Sequence, residues 1–227
     1  MTPSGFPFRL VSLDLDGTLT AVHGWRFLAR ELGKEPEYER ANALFFSGER
    51  SEDEHLRTLL GLAEGVPIAR IEEILERTPK ISGITQAVRT LRDRGVLPVL
   101  LTHNPGYVCE WYARRFGFVD WDGTTDRTAP EVVGGVVRGP GGIRADKPRG
   151  LARLLDRHGL EAGQAAHAGD GRADAEIFPR VGFGIAVNSP LPDVERAADV
   201  ALRITDLRRL VARLAEATPR NPTRSVL

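Results

Sequence analysis

Two aspartates, Asp14 and Asp16, end the apolar run FRLVSLDL near the N-terminus of the chain. Side chains alternate along a strand, so both carboxylates would lie on one side of it, at its C-terminal end. Buried carboxylates without partners are costly, and this position therefore favours a bound divalent cation. A surface turn or a helix cap is the alternative, but it does not explain why acids end the most apolar stretch of the N-terminal third.

A second polar group follows the apolar run VLPVLL, where Thr102, His103 and Asn104 precede Pro105. A threonine hydroxyl beside the amides of a helix N-terminus could bind a phosphate group. An ordinary helix cap fits the same residues, and the stretch alone does not decide between the two.

Lys147 and a second pair of acids extend this pattern. Asp170 ends the run QAAHAGD between two glycines, and Asp174 follows four residues later. Lys147 stands at the start of a predicted helix, where a cation is unfavourable unless an anion lies nearby, although a solvated lysine is also compatible. Four strand-end acids with one hydroxyl and one lysine favour a metal-dependent site.

Strand-like and helical patterns alternate along most of the chain. The apolar runs lack strict alternation, which is typical of strands covered on both faces. Amphipathic segments lie between them, such as GITQAVRTLRDRG and KPRGLARLLDRHG. The pattern predicts an α/β fold with a doubly wound parallel sheet, whose strands are expected in residues 8–15, 96–102, 164–170, 183–188 and 199–204.

About sixty residues interrupt this alternation after the first strand, far more than a strand–helix loop needs. They contain four helical patterns, so we expect residues 21–80 to form a helical cap over the carboxyl end of the first strand. Residues 1–20 and 81–217 would form the α/β core, and the tail 218–227 is predicted to be disordered. Residues 120–144, rich in valine and glycine, predict one or two short antiparallel hairpins.

Composition excludes several classes of protein. Lysine plus arginine equals aspartate plus glutamate at 31 each in 227 residues, so no bulk charge favours nucleic acid or membrane as a partner. The single cysteine, Cys109, is expected to be a buried apolar residue in a reducing, cytoplasmic environment. The N-terminus does not resemble a signal peptide, and nothing in the sequence specifies an oligomeric state.

In combination and in this order, the motifs resemble the haloacid dehalogenase superfamily, whose core is Rossmann-like. The matching pieces are DLDGT (residues 14–18), Thr102, Lys147 and GDGRAD (residues 169–174), and the resemblance covers roughly residues 10–210. The helical cap and the hairpin before the lysine are similar to those of the branch that contains phosphoserine phosphatases.

The resemblance implies a phosphatase that uses Mg²⁺ and forms an aspartyl-phosphate. Asp14 would attack phosphorus, and Asp16 would act as general acid and then as general base. Asp14, Asp170 and the backbone carbonyl of Asp16 would hold the metal, with Asp174 in a supporting position. Thr102 and Lys147 would bind the phosphoryl oxygens of a small phosphorylated metabolite.

Several residues depart from the phosphoserine phosphatase pattern. The glutamate that meets the substrate ammonium group in that branch corresponds by counting to His23, and the arginine that meets its carboxylate corresponds to Leu59, two residues after Arg57. Thr-His-Asn replaces Ser-Gly-Gly, and Ala173 replaces an asparagine. The sequence therefore predicts a substrate other than phosphoserine, with candidate contacts at His23, Trp25, Arg26, His103 and Asn104; for His103, simple packing is an equal alternative.

Three other functions share parts of this pattern. A response-regulator receiver also combines strand-end aspartates, a hydroxyl and a lysine, but it needs no sixty-residue insertion and its acids are adjacent. A member of the superfamily that has lost catalysis could serve as a binding module, although the main chemical residues remain. A phosphotransferase would pass the phosphoryl group from the same aspartyl-phosphate to an acceptor other than water.

Overall fold

The computed structural model describes residues 5–125, 131–139, 142–143 and 146–222. In these ranges the strands are β1 Leu10–Leu13, β2 Leu97–Leu101, β3 Asp120–Asp122, β4 Val132–Val133, β5 Val136–Val137, β6 Ala165–Gly169, β7 Phe183–Val187 and β8 Val200–Leu202. Six of them form one sheet in the order β3-β2-β1-β6-β7-β8, and every pairing in it is parallel. The predicted doubly wound parallel sheet is confirmed.

Helices cover both faces of this sheet. The helices of the described ranges are α1 Gly24–Glu31, α2 Glu35–Phe46, α3 Glu52–Gly61, α4 Ile68–Arg77, α5 Ile84–Asp93, α6 Gly106–Phe116, α7 Lys147–Arg157, α8 Arg172–Ala175, α9 Pro192–Ala197 and α10 Arg208–Ala215. Alternate residues of β1 enter two separate apolar clusters, Leu10 with Leu151 of α7, and Leu13 with Leu91 of α5. This two-sided burial explains why the strands carry continuous apolar runs.

The edge strand β3 was not predicted, because its sequence Asp-Trp-Asp has no apolar run. Both aspartates are buried and are neutralised by α7, which packs against this edge. Asp122 accepts hydrogen bonds from Arg153, and Asp120 accepts one from Arg157 at 2.9 Å and contacts His158 at 3.0 Å. The strand therefore depends on tertiary ion pairs. Within residues 120–144, part of which lies outside the described residues, β4 and β5 form an antiparallel hairpin, and Thr125 and Ile143 form an isolated antiparallel bridge.

The register of the central strands brings the polar residues of three motifs to one edge. Leu13 of β1 is aligned with Leu100 of β2 and with Ala168 of β6. The residues that follow these strand ends are therefore neighbours in space, and the crevice beyond the carboxyl ends of parallel strands is where ligands bind in such sheets.

The first four helices, α1 to α4, form the predicted helical insertion between β1 and α5. Its two ends lie side by side, since Thr20 and Lys80 form an antiparallel bridge. Ser51 caps the start of α3: Ser51 and Glu54 exchange the two hydrogen bonds of a capping box. None of the described helices is both long and apolar enough to cross a membrane. Of the predicted disordered tail, residues 218–222 form neither helix nor strand, and residues 223–227 lie outside the described ranges.

Candidate active site

Asp14 lies directly after β1 and is 7% exposed. Its Oδ1 is 3.0 Å from Nζ of Lys147. Burial raises the pKa of Asp14 to about 7; Lys147 opposes this rise, while the carboxylates of Asp174 and Asp16 add to it. The strand end therefore holds a carboxylate whose ionised form needs more positive charge than Lys147 alone supplies.

Asp16 lies in the loop after β1, half-buried, and is held by donors from two other segments. Its Oδ1 accepts a hydrogen bond from the backbone N–H of Gly24 at 2.7 Å, and its Oδ2 accepts one from Nδ2 of Asn104 at 3.1 Å. A Cβ atom at position 24 would lie 2.4 Å from Asp16 Oδ1, so this close approach requires glycine. Asp16 is thus fixed by the first residue of α1 and by the loop after β2.

Thr102 follows β2, is 3% exposed, and accepts a hydrogen bond from Asn104 Nδ2 at 3.0 Å. It does not cap α6. The first amides of that helix, those of Gly106 and Tyr107, donate instead to Thr125 Oγ1 and Glu131 Oε2. The idea that these amides bind phosphate is therefore wrong, because partners distant in sequence already accept their hydrogen bonds. Thr102 itself lines the cavity together with Asp14.

Lys147 is not solvated, although its position at a helix start suggested that alternative. It is 5% exposed and also contacts Asp174, with Nζ 2.6 Å from Oδ1. Burial works against its charge, but Asp14 and Asp174 outweigh burial and raise the pKa of Lys147 above its usual value. Lys147 is therefore a permanent positive charge between two carboxylates.

His167 is a site residue that sequence analysis missed. It lies in β6, fully buried, with Nε2 2.9 Å from Asp174 Oδ1 and Nδ1 2.8 Å from the hydroxyl of Ser12. Burial lowers its pKa, so the ring is neutral, and it donates to Asp174 while its other nitrogen accepts from Ser12. Burial also works against the charge on Asp174, but Lys147 and His167 outweigh it and lower the pKa of that carboxyl. A histidine within a strand that ends in Gly-Asp was the signal available in the sequence.

Asp170 completes an acid cluster, which consists of Asp14, Asp170 and Asp174. One oxygen of each lies within 4.8 Å of the others. Burial, followed by the charges of Asp14 and Asp174, raises the pKa of Asp170 to about 8. Gly17 faces this group: it has φ +71°, and a Cβ there would lie 2.2 Å from Asp170 Oδ2.

The acid cluster has the chemistry of a site for a hard divalent cation. Its donors are all carboxylate oxygens, which Mg²⁺ prefers. Lys147 forms ion pairs with Asp14 and Asp174. Burial, to which the neighbouring carboxylates add, raises the pKa values of Asp14 and Asp170. Asp174 already accepts from Lys147, His167 and the N–H of Gly171, so Asp14 and Asp170 are the members with oxygens left for a metal.

A cavity of about 720 Å³ opens above these residues, between the sheet edge and the helical insertion. Four of the five candidate substrate contacts line it: His23, Trp25, His103 and Asn104. Arg26 does not line it. This side chain lies on the outer side of α1, where its guanidinium forms ion pairs with Glu35 and Glu39 of α2.

The insertion also supplies lining residues that sequence analysis did not select. They are Asn42, Phe45, Phe46, Glu52 and His55, from the end of α2 and the start of α3. These residues could be identified only once the packing of α2 against α3 was known, and the periodicity of the sequence does not specify that packing. Cys109 of α6 is buried in the core, as predicted, and its neighbours Trp111 and Tyr112 are buried there too.

Comparison with known proteins shows the family. The sequence model for haloacid dehalogenase-like hydrolases matches residues 8–182 of the chain. The chain belongs to this hydrolase family. The predicted superfamily is thereby confirmed.

Curated relatives of this haloacid dehalogenase-like hydrolase include phosphoserine phosphatase SerB2 of Mycobacterium tuberculosis, 26% identical over 198 residues that make up 86% of this chain. The chain spans about half the length of several such relatives, 47% of SerB2 and 53% of the phosphoserine phosphatase of Archaeoglobus fulgidus.

Solved structures share the fold. A haloacid dehalogenase family hydrolase from Salmonella enterica serovar Typhi aligns with a TM-score of 0.76 at 19% identity, covering 88% of this chain and 69% of that one. A phosphoserine phosphatase with a phospho-aspartyl intermediate analogue aligns with a TM-score of 0.72 at 21% identity, covering 91% and 98%.

Proposed function

We propose that this hydrolase is a Mg²⁺-dependent phosphatase that cleaves a small-molecule phosphate monoester through an aspartyl-phosphate on Asp14. The observation that carries the proposal is the placement of Asp14. It lies 3.0 Å from a buried lysine, within an acid cluster and beside Asp16, at the floor of a cavity large enough for a substrate.

Two carboxylates divide the proposed chemistry. A carboxylate oxygen of Asp14 forms a bond to phosphorus while the bond from phosphorus to the alcohol oxygen breaks, and Asp16 gives its proton to that oxygen. Asp16 then takes a proton from water, whose oxygen attacks phosphorus and releases Asp14 and inorganic phosphate. The hydrogen bonds from Gly24 and Asn104 hold Asp16 in place for both proton transfers.

The phosphoryl group would be bound by Thr102 and Lys147, whose side chains line the cavity next to Asp14. Asp174 and His167 keep the Lys147 ammonium group in position. A Mg²⁺ ion held by Asp14, Asp170 and the backbone carbonyl of Asp16 would supply the charge that keeps the carboxylates ionised and screens the phosphate dianion.

We further propose that the substrate is not phosphoserine. No lysine or arginine of residues 21–80, all of which the structure describes, lines the cavity, so the insertion offers no cation for a substrate carboxylate. One finding favours phosphoserine as the substrate: Glu52 lines the cavity and could meet an ammonium group. Because curated relatives are phosphoserine phosphatases, O-phosphoserine belongs in any test.

The test is phosphate release from a panel of small phosphate esters that includes O-phosphoserine, with Mg²⁺ and with a chelator. We expect turnover that requires the metal and is abolished in Asp14→Asn, while Asp156→Asn on the exposed side of α7 keeps full activity. Activity that survives Asp14→Asn or metal removal would contradict the mechanism. Turnover of no ester would favour a binding module, and phosphate transfer to an added alcohol would favour a phosphotransferase.

A further inference from the structure

The side of the cavity formed by the helical insertion is apolar and aromatic. Trp25 of α1 and Phe45 and Phe46 of α2 line it, together with Leu56 and Leu59 of α3. Phe46 is 76% exposed at this surface. A phenylalanine so exposed at the wall of a cavity is an unused apolar surface that a bound group could cover.

His55 adds one polar atom to this wall. Its ring stacks on Phe45, with centroids 4.6 Å apart and planes 11° apart. The side chain is 8% exposed, and its Nδ1 has no hydrogen-bond partner. Burial lowers the pKa of His55, so the ring is neutral. Buried polar atoms are normally satisfied, so a polar group of a ligand that displaced the atoms covering Nδ1 would supply the partner that this atom lacks.

The charges around the cavity disfavour a carboxylate on the bound alcohol. The only charged residue that residues 21–80 contribute to the lining is the acid Glu52. Arg172 lines the core side, where it is paired with Asp193 at 3.3 Å. A carboxylate that left water for this aromatic wall would gain no cationic partner from residues 21–80.

The size of the cavity favours a ligand that contains a ring. Its volume of about 720 Å³ falls within the roughly 300–1,000 Å³ of cavities that hold drug-sized ligands. A phosphate group with a short aliphatic chain would leave the aromatic wall uncovered, whereas a ring would bury it.

We propose, resting on the phosphatase activity inferred above, that the substrate is the phosphate monoester of a ring-bearing alcohol without a carboxylate. The ring binds against Phe45 and Phe46, and a polar substituent on it meets His55. This assigns the specificity of the site to the junction of α2 and α3.

Binding of phosphonates tests this selectivity without turnover, because a stable P–C bond replaces the P–O bond that the enzyme would cleave. Isothermal titration calorimetry with Mg²⁺ compares 2-phenylethylphosphonate, ethylphosphonate and the phosphonate analogue of phosphoserine. We expect the ring compound to bind more tightly than either of the others by on the order of tenfold or more. Phe46→Ala should reduce that preference by about three- to tenfold, and Phe27→Ala, an aromatic residue of α1 that does not line the cavity, should leave it unchanged.

The outcomes separate this inference from the proposed function. If ethylphosphonate or the phosphoserine analogue binds as tightly as the ring compound, or if no phosphonate binds, the inference is overturned, whatever esters the enzyme hydrolyses. If the ring compound binds best and no ester is hydrolysed, the ligand class stands and the phosphatase activity fails. If Phe46→Ala and Phe27→Ala lost the ring preference to the same extent, the result would also contradict the inference, because it would indicate a general effect on folding.

Discussion

Replacement of Asn104 by alanine removes one of the hydrogen bonds that hold the proposed general acid. Asn104 Nδ2 lies 3.1 Å from Asp16 Oδ2, and the other strong donor to this carboxylate is the Gly24 N–H at 2.7 Å. A hydrogen bond to a charged group contributes about 1.5–3 kcal/mol. Because Asp16 is only half-buried, water can replace part of the loss, and the lower end of that range corresponds to about a tenfold fall in kcat/KM.

The dependence on the leaving group identifies the cause of this fall. A 4-nitrophenolate ion leaves without a proton, whereas the alkoxide of 2-phenylethanol needs one from the general acid. We therefore expect Asn104→Ala to lower kcat/KM about tenfold for 2-phenylethyl phosphate and to change it little for 4-nitrophenyl phosphate. The comparison uses kcat/KM because the later hydrolysis of the aspartyl-phosphate, in which Asp16 acts as the base for both esters, enters kcat but not kcat/KM. Asn221→Ala, in the exposed C-terminal segment, is the matched control and should resemble the wild type. Equal losses on both esters would refute a role for Asn104 in placing Asp16.

Three other predictions follow from the packing below the site. His167→Ala should lower the free energy of unfolding in urea by about 2–4 kcal/mol, because it leaves a cavity and removes a bond to a carboxylate, whereas Ser12→Ala should lower it by about 1 kcal/mol; equal losses would contradict the role given to the ring. Gly17→Ala should displace Asp170 and weaken Mg²⁺ binding about tenfold or more by calorimetry, while Gly33→Ala, with the same φ of +71° but open space around it, should not. The raised pKa values of Asp14 and Asp170, about 7 and about 8 against a usual 3.8, mean that these two carboxyls cost the metal-free fold stability as the pH rises from the usual value through the raised ones. The gain in Tm from Mg²⁺ should therefore be larger at about pH 8.5 than at about pH 6, and an equal gain at both would contradict the cluster as the metal site.

The positions of the main polar residues were predictable because they depend on where apolar runs end. Asp14 and Asp170 each follow a buried strand, and parallel pairing of β1 with β6 brings such ends together. The four helices of the insertion were predictable from amphipathic patterns and from local signals such as Ser51, which forms its capping box within four residues.

Features that depend on distant partners were not predictable in the same way. The strand β3 exists because arginines of α7, more than thirty residues later, neutralise its aspartates. The amides of α6 are satisfied by Thr125 and Glu131, which no local pattern indicates. His167 looks like an ordinary residue of a buried strand until the fold places Asp174 beside its ring.

Part of the lining of the cavity was not predictable either, because it depends on how helices pack. Arg26 was a reasonable candidate from its place in the chain, but the rotation of α1 directs it to Glu35 and Glu39. Phe46 and His55 belong to separate helices, and the packing of α2 on α3 brings both to the cavity wall.

The central claim is that Asp14 carries the phosphoryl group during turnover. Rapid acid quenching of the enzyme with Mg²⁺ and a substrate ester, followed by peptide mass spectrometry, tests it most directly. We predict that the peptide containing Asp14 gains the mass of one phosphoryl group, that hydroxylamine removes this group, and that Asp14→Asn never acquires it. Steady turnover with no phosphorylated Asp14 peptide, or a stable phosphoryl group on another residue, would contradict the account.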